Sequence, residues 1–380
     1  MKDSDISLTR VTNKKQLRQF VTFPWKVYEN DPFWVPPMIR SRMAKLSPET
    51  GQFYRQGEAV PMLALRDGKV VGTVVPWINH RANKFRNENA VNFGFFETLP
   101  EYEIAETMLS GVIEWAKEKD ATVVRGPLYF SPQDSPGVLV EGFDSLPGPL
   151  TGHTPPWYST FIEQFGFQKH RDALAYKVDL SGLNNDINNL PPKLLNVARA
   201  VQKRYRVKVR TLRMNDWDNE LKAAFYIFNE ALGYQREGVP MDEVEFLKLS
   251  SDLKKIIDPG LIHVAEVDER PIGIHVAFPN VNQLLKALNG RLFPFNWIKL
   301  LRREKYITDV STKILGVLEA YRNKGVDALL YYKFAGELLK RGHTWVDYSL
   351  VAEENRMANR IMQRMGGTVY QICRTYKMDI

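Results

Sequence analysis

One cysteine, Cys373, stands in 380 residues. No disulfide can therefore form within the chain, and a reducing, cytoplasmic setting is expected. No apolar run approaches the roughly 20 residues that a bilayer-spanning helix requires. The opening MKDSDISLTR is polar and lacks the apolar core of a secretory signal. The six histidines show no HxxxH or comparable ligand spacing, so no metal is expected. Low-complexity blocks are also missing. With 44% hydrophobic and 25% charged residues, the chain reads as a folded protein long enough for two cores.

Acidic excess is absent as well. Residues 1–180 carry 21 basic and 21 acidic side chains, whereas residues 181–380 carry 31 and 23. The whole net charge of +8 thus belongs to the second half, where any polyanion is expected to bind.

What is present is an internal repeat. Tyr158, Phe161, Ile162 and Phe165 precede Gly166-Phe167; Ala358, Ile361, Met362 and Met365 precede Gly366-Gly367. Both sets have the i, i+3, i+4, i+7 spacing of a buried helix face ended by glycine. Each half then closes on a strand, Tyr176–Leu180 or Tyr376–Ile380, at an offset of 200. Earlier, Ala64–Gly72 parallels Ala265–Gly273 at an offset of 201, and both read as β-hairpins. Between these anchors helix 103–119 matches helix 325–341 at an offset of about 222, and each runs into a strand. Three matches in one order indicate duplication. The first copy spans 1–180. A turn-rich linker follows at 181–192, where Pro191-Pro192 opens a helix. The second copy spans 193–380 and carries an insertion at 281–306.

Each half reads helix–helix–hairpin–strand–helix–strand–helix–strand. That order, with the glycine pair after the last helix, resembles the GNAT superfamily of acyl-CoA-dependent N-acyltransferases. Phe33-Trp34-Val35-Pro36-Pro37, Gly290-Arg291-Leu292-Phe293-Pro294-Phe295 and Glu354-Asn355-Arg356-Met357 resemble a bacterial group of tandem GNAT-like proteins. The resemblance implies an α/β fold of two tandem modules, each a mixed, mostly antiparallel sheet flanked by helices. It also implies acetyl-CoA or another acyl-CoA as co-substrate, with a small-molecule or peptide amine as acceptor.

The passage Val317-Leu318-Glu319-Ala320-Tyr321-Arg322-Asn323-Lys324-Gly325-Val326-Asp327 lies after a strand and before an amphipathic helix. It is similar to the family's Q/R-x-x-G-x-G/A loop, with Asp327 in place of the second small residue. Unpaired amides and the positive end of the helix dipole favour a pyrophosphate there. Arg322, Asn323, Lys324, Gly325 and Val326 are therefore the expected CoA contacts. The resemblance adds backbone donors at Leu315 or Val317 for the oxyanion, and Asn355 as the family's motif-B asparagine. The tyrosine that often serves as general acid falls at Met362, a departure that leaves the usual acid missing. The first copy's corresponding passage, Gly94 to Glu103, has no turn glycine and several carboxylates. That copy is expected to have lost CoA binding.

For the base, Asp347 and Ser349 alternate onto one face of the strand 344–350, and Asp347 is the first choice. Three further features stand out. Residues 191–215 hold eight basic side chains and no acidic one. Without interleaved aromatics, the solvated-face reading of 193–213 outranks nucleic acid. Segment 126–158 is rich in glycine, proline and aromatics, as a pocket-lining loop would be. The insertion is unusually apolar and must bury itself against protein, ligand or membrane; a lid over the acyl or acceptor site is one expectation and packing on the first module the other. The leading functional expectation is acyl-CoA-dependent N-acyl transfer by a monomer or weak dimer. The alternatives are Fem-type, tRNA-dependent aminoacyl transfer and non-catalytic ligand binding.

Overall fold

The computed structural model describes residues 5–130, 136–232 and 257–380, together with positions 239, 243, 244, 246, 247, 250 and 254. Among these residues the chain forms one 14-stranded, mostly antiparallel sheet with helices packed against it. The first copy supplies β1 (Ser7–Arg10), β2 (Gly57–Ala59), β3 (Met62–Arg66), β4 (Lys69–Asn79), β5 (Ala90–Thr98), β6 (Val123–Gly126), β7 (Val138–Glu141) and β8 (Gln168–Asp179). The second supplies β9 (Lys208–Thr211), β10 (Ile262–Val267), β11 (Arg270–Pro279), β12 (Val310–Val317), β13 (Trp345–Ala352) and β14 (Thr368–Asp379).

Both expected hairpins form, as β3–β4 and β10–β11. Their two-residue turns, Asp67-Gly68 and Asp268-Glu269, have positive φ at both positions. That geometry gives a turn the twist that paired strands need. The long helices run over Tyr102–Glu118 and Val326–Lys340, and each presents its apolar residues to the sheet. The linker is packed rather than free. Leu190 is buried beside Leu195 and Ala335, and Leu183 and Ile187 close over them.

The sheet order is β1-β3-β4-β5-β6-β14-β8-β13-β12-β11-β10-β9, so the two copies exchange their last strands. First-copy β8 pairs with β13, Tyr176 opposite Tyr348 and Val178 opposite Val346. Second-copy β14 pairs with β6, Tyr376 opposite Gly126 and Met378 opposite Val124. The two exchanged strands also pair with each other, with Ala173 opposite Cys373. At this one pair a residue faces its own counterpart 200 positions on, as a pseudo-twofold axis between antiparallel strands dictates.

The cores follow the exchange. Tyr376 lies in the first copy's core with Phe93, Trp115 and Phe167, whereas Tyr176 and Val178 lie in the second copy's core with Phe334, Leu338 and Met362. Each tyrosine hydroxyl donates to the helix of the module it joins: Tyr376 to Glu163 at 2.7 Å and Tyr176 to Asn359 at 2.9 Å. Hydrogen bonding and core packing both cross the boundary expected at 181–192.

Candidate acyl-transfer site

In the second copy the parallel pair β12–β13 is short. Only Ser311 with Asp347 and Thr312 with Tyr348 are in register, after which the strands part. The first residues past the pairing, Lys313 and Ser349, face each other across the apex of this V. Side chains two apart on a strand share a face, so Ser311 and Lys313 join Asp347 and Ser349 in one buried cluster. Asp347, Ser349 and Ser311 are each less than 5% exposed.

Asp347 organises the cluster. Its Oδ2 accepts from Ser349 Oγ at 2.7 Å and from Ser311 Oγ, and its Oδ1 accepts from the Tyr370 hydroxyl at 3.0 Å. Lys313 Nζ lies 3.7 Å from Asp347 Oδ2. It donates to Ser349 Oγ at 2.6 Å and to the Ser349 carbonyl at 2.9 Å. Burial pushes the Lys313 ammonium down to about 8, against the opposing pull of Asp347. Burial, and then the Asp347 charge, push the Tyr370 hydroxyl upward, so Tyr370 is a neutral donor. The cluster thus couples a carboxylate, an easily deprotonated amine and three hydroxyls at one point.

The first copy forms its roof. Thr151 Oγ1 is 3.4 Å from Ser349 Oγ. A Cβ on Gly148 would lie 2.4 Å from Asp347 Oδ2, so only glycine fits there. Asn282, in the insertion helix Val281–Leu288, donates to the carbonyls of Pro147 at 3.0 Å and Gly148 at 2.8 Å, fixing that loop. These contacts belong to the segment 126–158, of which residues 131–135 lie outside the described residues.

At the other end of β12, Asn323 and Gly325 take positive φ and turn the chain into the Val326–Lys340 helix. The first-turn amides of a helix have no intrahelical acceptor, and here they follow a glycine, a donor set that fits a pyrophosphate. The side chains of the loop do other work. Arg322 Nε donates to the Val317 carbonyl and its Nη2 to the Glu230 carbonyl, both at 3.1 Å, so Arg322 braces the turn. Lys324 lies over the Tyr205 and Tyr321 rings. A Cβ on Gly325 would meet Val197 at 2.5 Å. A bulky residue at 325 would therefore collide with the Pro192–Tyr205 helix before testing phosphate contact. From Lys313 to Leu318 an extended strand covers about 17 Å, the reach of an extended pantetheine arm. Leu315 and Val317 lie along that edge, paired on their other side with His275 and Gly273 of β11.

The same groove in the first copy is filled. β5 and β6 are in register only over Ala90–Asn92 and Val123–Arg125. Beyond this, the Tyr158 hydroxyl accepts from the Thr98 amide at 2.9 Å, and Trp157 Nε1 donates to the Thr98 carbonyl at 3.3 Å. Tyr158 and Tyr28 also donate to the buried Glu97 carboxyl at 2.8 and 2.9 Å, and burial pushes Glu97 up to about 7. The residues matching Trp157 and Tyr158 at the offset of 200 are Met357, which is exposed, and the small Ala358.

Asn355 caps the Arg356–Arg364 helix, accepting from the Ala358 amide at 3.2 Å. Met362 is a buried core residue. Of the basic stretch, Arg210 pairs with Glu220 and Glu266. Sequence reasoning brought Asp347 and Ser349 together but missed Lys313, Ser311, Tyr370, Thr151 and Gly148. A single charged residue in an otherwise uncharged strand, two positions from Ser311, was a usable signal for Lys313.

These features define a fold: the chain has the architecture of the tandem GNAT proteins. Over 99% of its length it superposes on 98% of a tandem GNAT protein from the clavulanic acid biosynthesis pathway, with a TM-score of 0.58 and 12% identity. A GCN5-related N-acetyltransferase from Sphaerobacter thermophilus matches with a TM-score of 0.55 and 15% identity, covering 100% of this chain and 96% of that one. No family model matches the sequence. Two curated relatives are similar end to end. Protein YghO of Escherichia coli K12 is 28% identical over 377 residues, covering 97% of this chain and 94% of its own. A bacterial ceramide synthase of Caulobacter vibrioides is 28% identical over 383 residues, covering 99% and 98%.

Proposed function

We propose that this protein is an N-acyltransferase that moves an acyl group from CoA to an amine, using the second module alone for the thioester. The observation that carries the reading is the V between β12 and β13. A glycine-turned helix start lies at its open end, and the Lys313–Asp347–Ser349 cluster lies at its apex. The pyrophosphate would rest on the amides from Asn323 onward, with the pantetheine arm along Leu315 and Val317. The thioester carbonyl would then reach the apex.

Amide formation makes an N–C bond and breaks the C–S bond. The proton leaving the amine is balanced by the one that the CoA thiolate finally takes. Lys313 in its neutral form accepts the amine proton through Ser349, and Asp347, itself steadied by the Tyr370 hydroxyl, holds the resulting ammonium. The first module's groove, filled by Trp157 and Tyr158, holds no thioester; its loop at Gly148 and Thr151 shapes the acceptor side. The name of the Caulobacter relative favours a lipid amine over a peptide, since a ceramide is an N-acylated long-chain amino alcohol.

Purified protein should be incubated with acyl-CoAs of increasing chain length and a panel of amines that includes a long-chain amino alcohol, while free thiol is followed. Amine-dependent thiol release that falls at least a hundredfold in Lys313→Met is expected. Absence of both CoA binding by calorimetry and thiol release with every pair would refute the reading.

A further inference from the structure

The insertion divides into two parts with opposite surfaces. The helix Val281–Leu288 is a packed element, with Leu284 and Leu288 buried. Its end is pinned to the first copy. Trp25 Nε1 donates to Asn289 Oδ1 at 2.8 Å, the Ile39 amide donates to the Gly290 carbonyl at 3.1 Å, and Lys286 Nζ donates to the Pro32 carbonyl. Gly290, at positive φ, rests against the Trp25 ring. From this fixed root the chain turns outward. Phe293, Phe295 and Leu301 are 73–76% exposed, and Trp297, Ile298 and Leu300 are exposed beside them. Six large apolar side chains facing water within nine residues, on a root held by three hydrogen bonds, is not how a chain end frays. It is a surface whose partner is not protein core.

The charges at the tip indicate that partner. Residues 291–305 carry five basic side chains, Arg291, Lys299, Arg302, Arg303 and Lys305, and a single carboxylate, Glu304. Arg291, Arg302 and Lys305 are exposed. A cavity of about 350 Å³ lies at the root of the tip, lined by Trp25, Asn289, Arg291, Phe293, Pro294 and Asn296. An aromatic tip ringed by cations matches the headgroup–acyl boundary of an anionic bilayer, where aromatics enter the interface and basic side chains meet lipid phosphates. We infer that the tip 291–305 docks the protein on the surface of an anionic membrane. This inference does not depend on the acyl-transfer reading, because it rests on residues outside the V and is read by binding alone.

The test is co-sedimentation of the full chain with vesicles of phosphatidylcholine alone or of equal parts phosphatidylcholine and phosphatidylglycerol. Binding to the anionic vesicles is expected, weakening as salt rises. The triple variant Phe293→Ser, Phe295→Ser, Leu301→Ser should bind at least tenfold more weakly. Arg302→Glu with Lys305→Glu should lose about fivefold or more for each basic residue replaced. All these positions are solvent-exposed, so the thermal midpoint serves as the folding control, and the charge pair remains a valid test if the apolar triple is unstable. No binding to anionic vesicles, or equal binding by wild type and the folded charge variant, would overturn the inference. So would a concentration-dependent dimer that is abolished by the same substitutions, because the patch would then belong to a second copy of the chain.

Discussion

The buried pair Lys313–Asp347 offers a sharp test, because its energetics follow from how the lysine can escape its charge. Asp347→Asn keeps the side chain's shape but leaves the Lys313 ammonium buried without a counter-ion. Breaking such a pair commonly costs about 3–5 kcal/mol. Lys313 has a cheaper exit: with its pKa already near 8, giving up the proton at pH 7 costs only about 1.4 kcal/mol. The expected destabilisation for Asp347→Asn is therefore about 2–3 kcal/mol, including the weaker bonds to Ser311, Ser349 and Tyr370. Lys313→Met should cost a similar amount, and the double variant should fall short of the sum by about 1–2 kcal/mol. The pH dependence has a definite sign. The folded pKa near 8 lies below that of an unfolded lysine, near 10.5, so the unfolded chain binds more protons between these values. Stability from this group therefore rises as pH increases from 8 to 10.5 and is absent below 8. Urea unfolding of the four proteins at pH 7 and pH 9 measures all of this. Additive costs, or an unchanged pH slope in Lys313→Met, would show that the two groups are not coupled as the geometry requires.

Other consequences are equally measurable. Ala358→Trp should fill the second module's groove as Trp157 and Tyr158 fill the first, lowering CoA affinity at least tenfold by calorimetry with little change in melting temperature. The rate of amine-dependent thiol release should climb as pH passes through about 8 while Lys313 loses its proton; a flat profile would remove Lys313 as the base. Tyr376→Ala should cost about 3–5 kcal/mol and loosen hydrogen exchange in β5 and β6, although residue 376 belongs to the second copy. Loosening confined to residues 193–380 would contradict strand exchange. Burial holds His275 down to about 3 and His263 to about 4, so both cost stability as pH falls below 6.5. Glu97, held up to about 7, gives the opposite slope between pH 4.5 and 7. Glu97→Gln should therefore make the protein more acid-sensitive, read as a larger drop in urea midpoint from pH 7.5 to pH 5.

Local rules made much of the fold legible. The hairpins at 67–68 and 268–269, the helix ends at glycine and the loop at Gly325 each depend on residues a few positions apart. The exchange of β8 and β14 was not legible, and the repeat itself explains why. Tyr176-Lys177-Val178-Asp179 and Tyr376-Lys377-Met378-Asp379 have the same alternation, so either strand satisfies either module's core by pattern alone. The candidate site was half legible for a related reason. Asp347 and Ser349 reveal themselves by spacing within one strand. Gly148, Thr151 and Tyr370 reach the cluster from a first-copy loop and an exchanged strand, and nothing near them in sequence points there. The insertion met its expectation in part: Leu284 and Leu288 became core, whereas Phe293, Phe295 and Leu301 stayed in water, against the expectation that the segment would bury itself.

The exchange also bears on why a module with a filled groove persists. In a pair of independent domains, a copy that, on the proposed reading, holds no cofactor would be free to erode. Here β8, a first-copy strand, is the hydrogen-bonded neighbour of β13 and places Tyr176 and Val178 in the second copy's core. Gly148 and Thr151 close over Asp347 and Ser349 from the first copy's loop, and Trp25 and Ile39 anchor the insertion. Each contribution is to framework or to the edge of the site, and none requires CoA in the first groove. On the proposed reading, Trp157 and Tyr158 occupy with packing the space that a thioester would need, because the second copy draws on the first for shape. A groove is lost this way more readily than a strand, since refilling it changes a few side chains, whereas losing β8 would leave β13 an unpaired edge and open the second core.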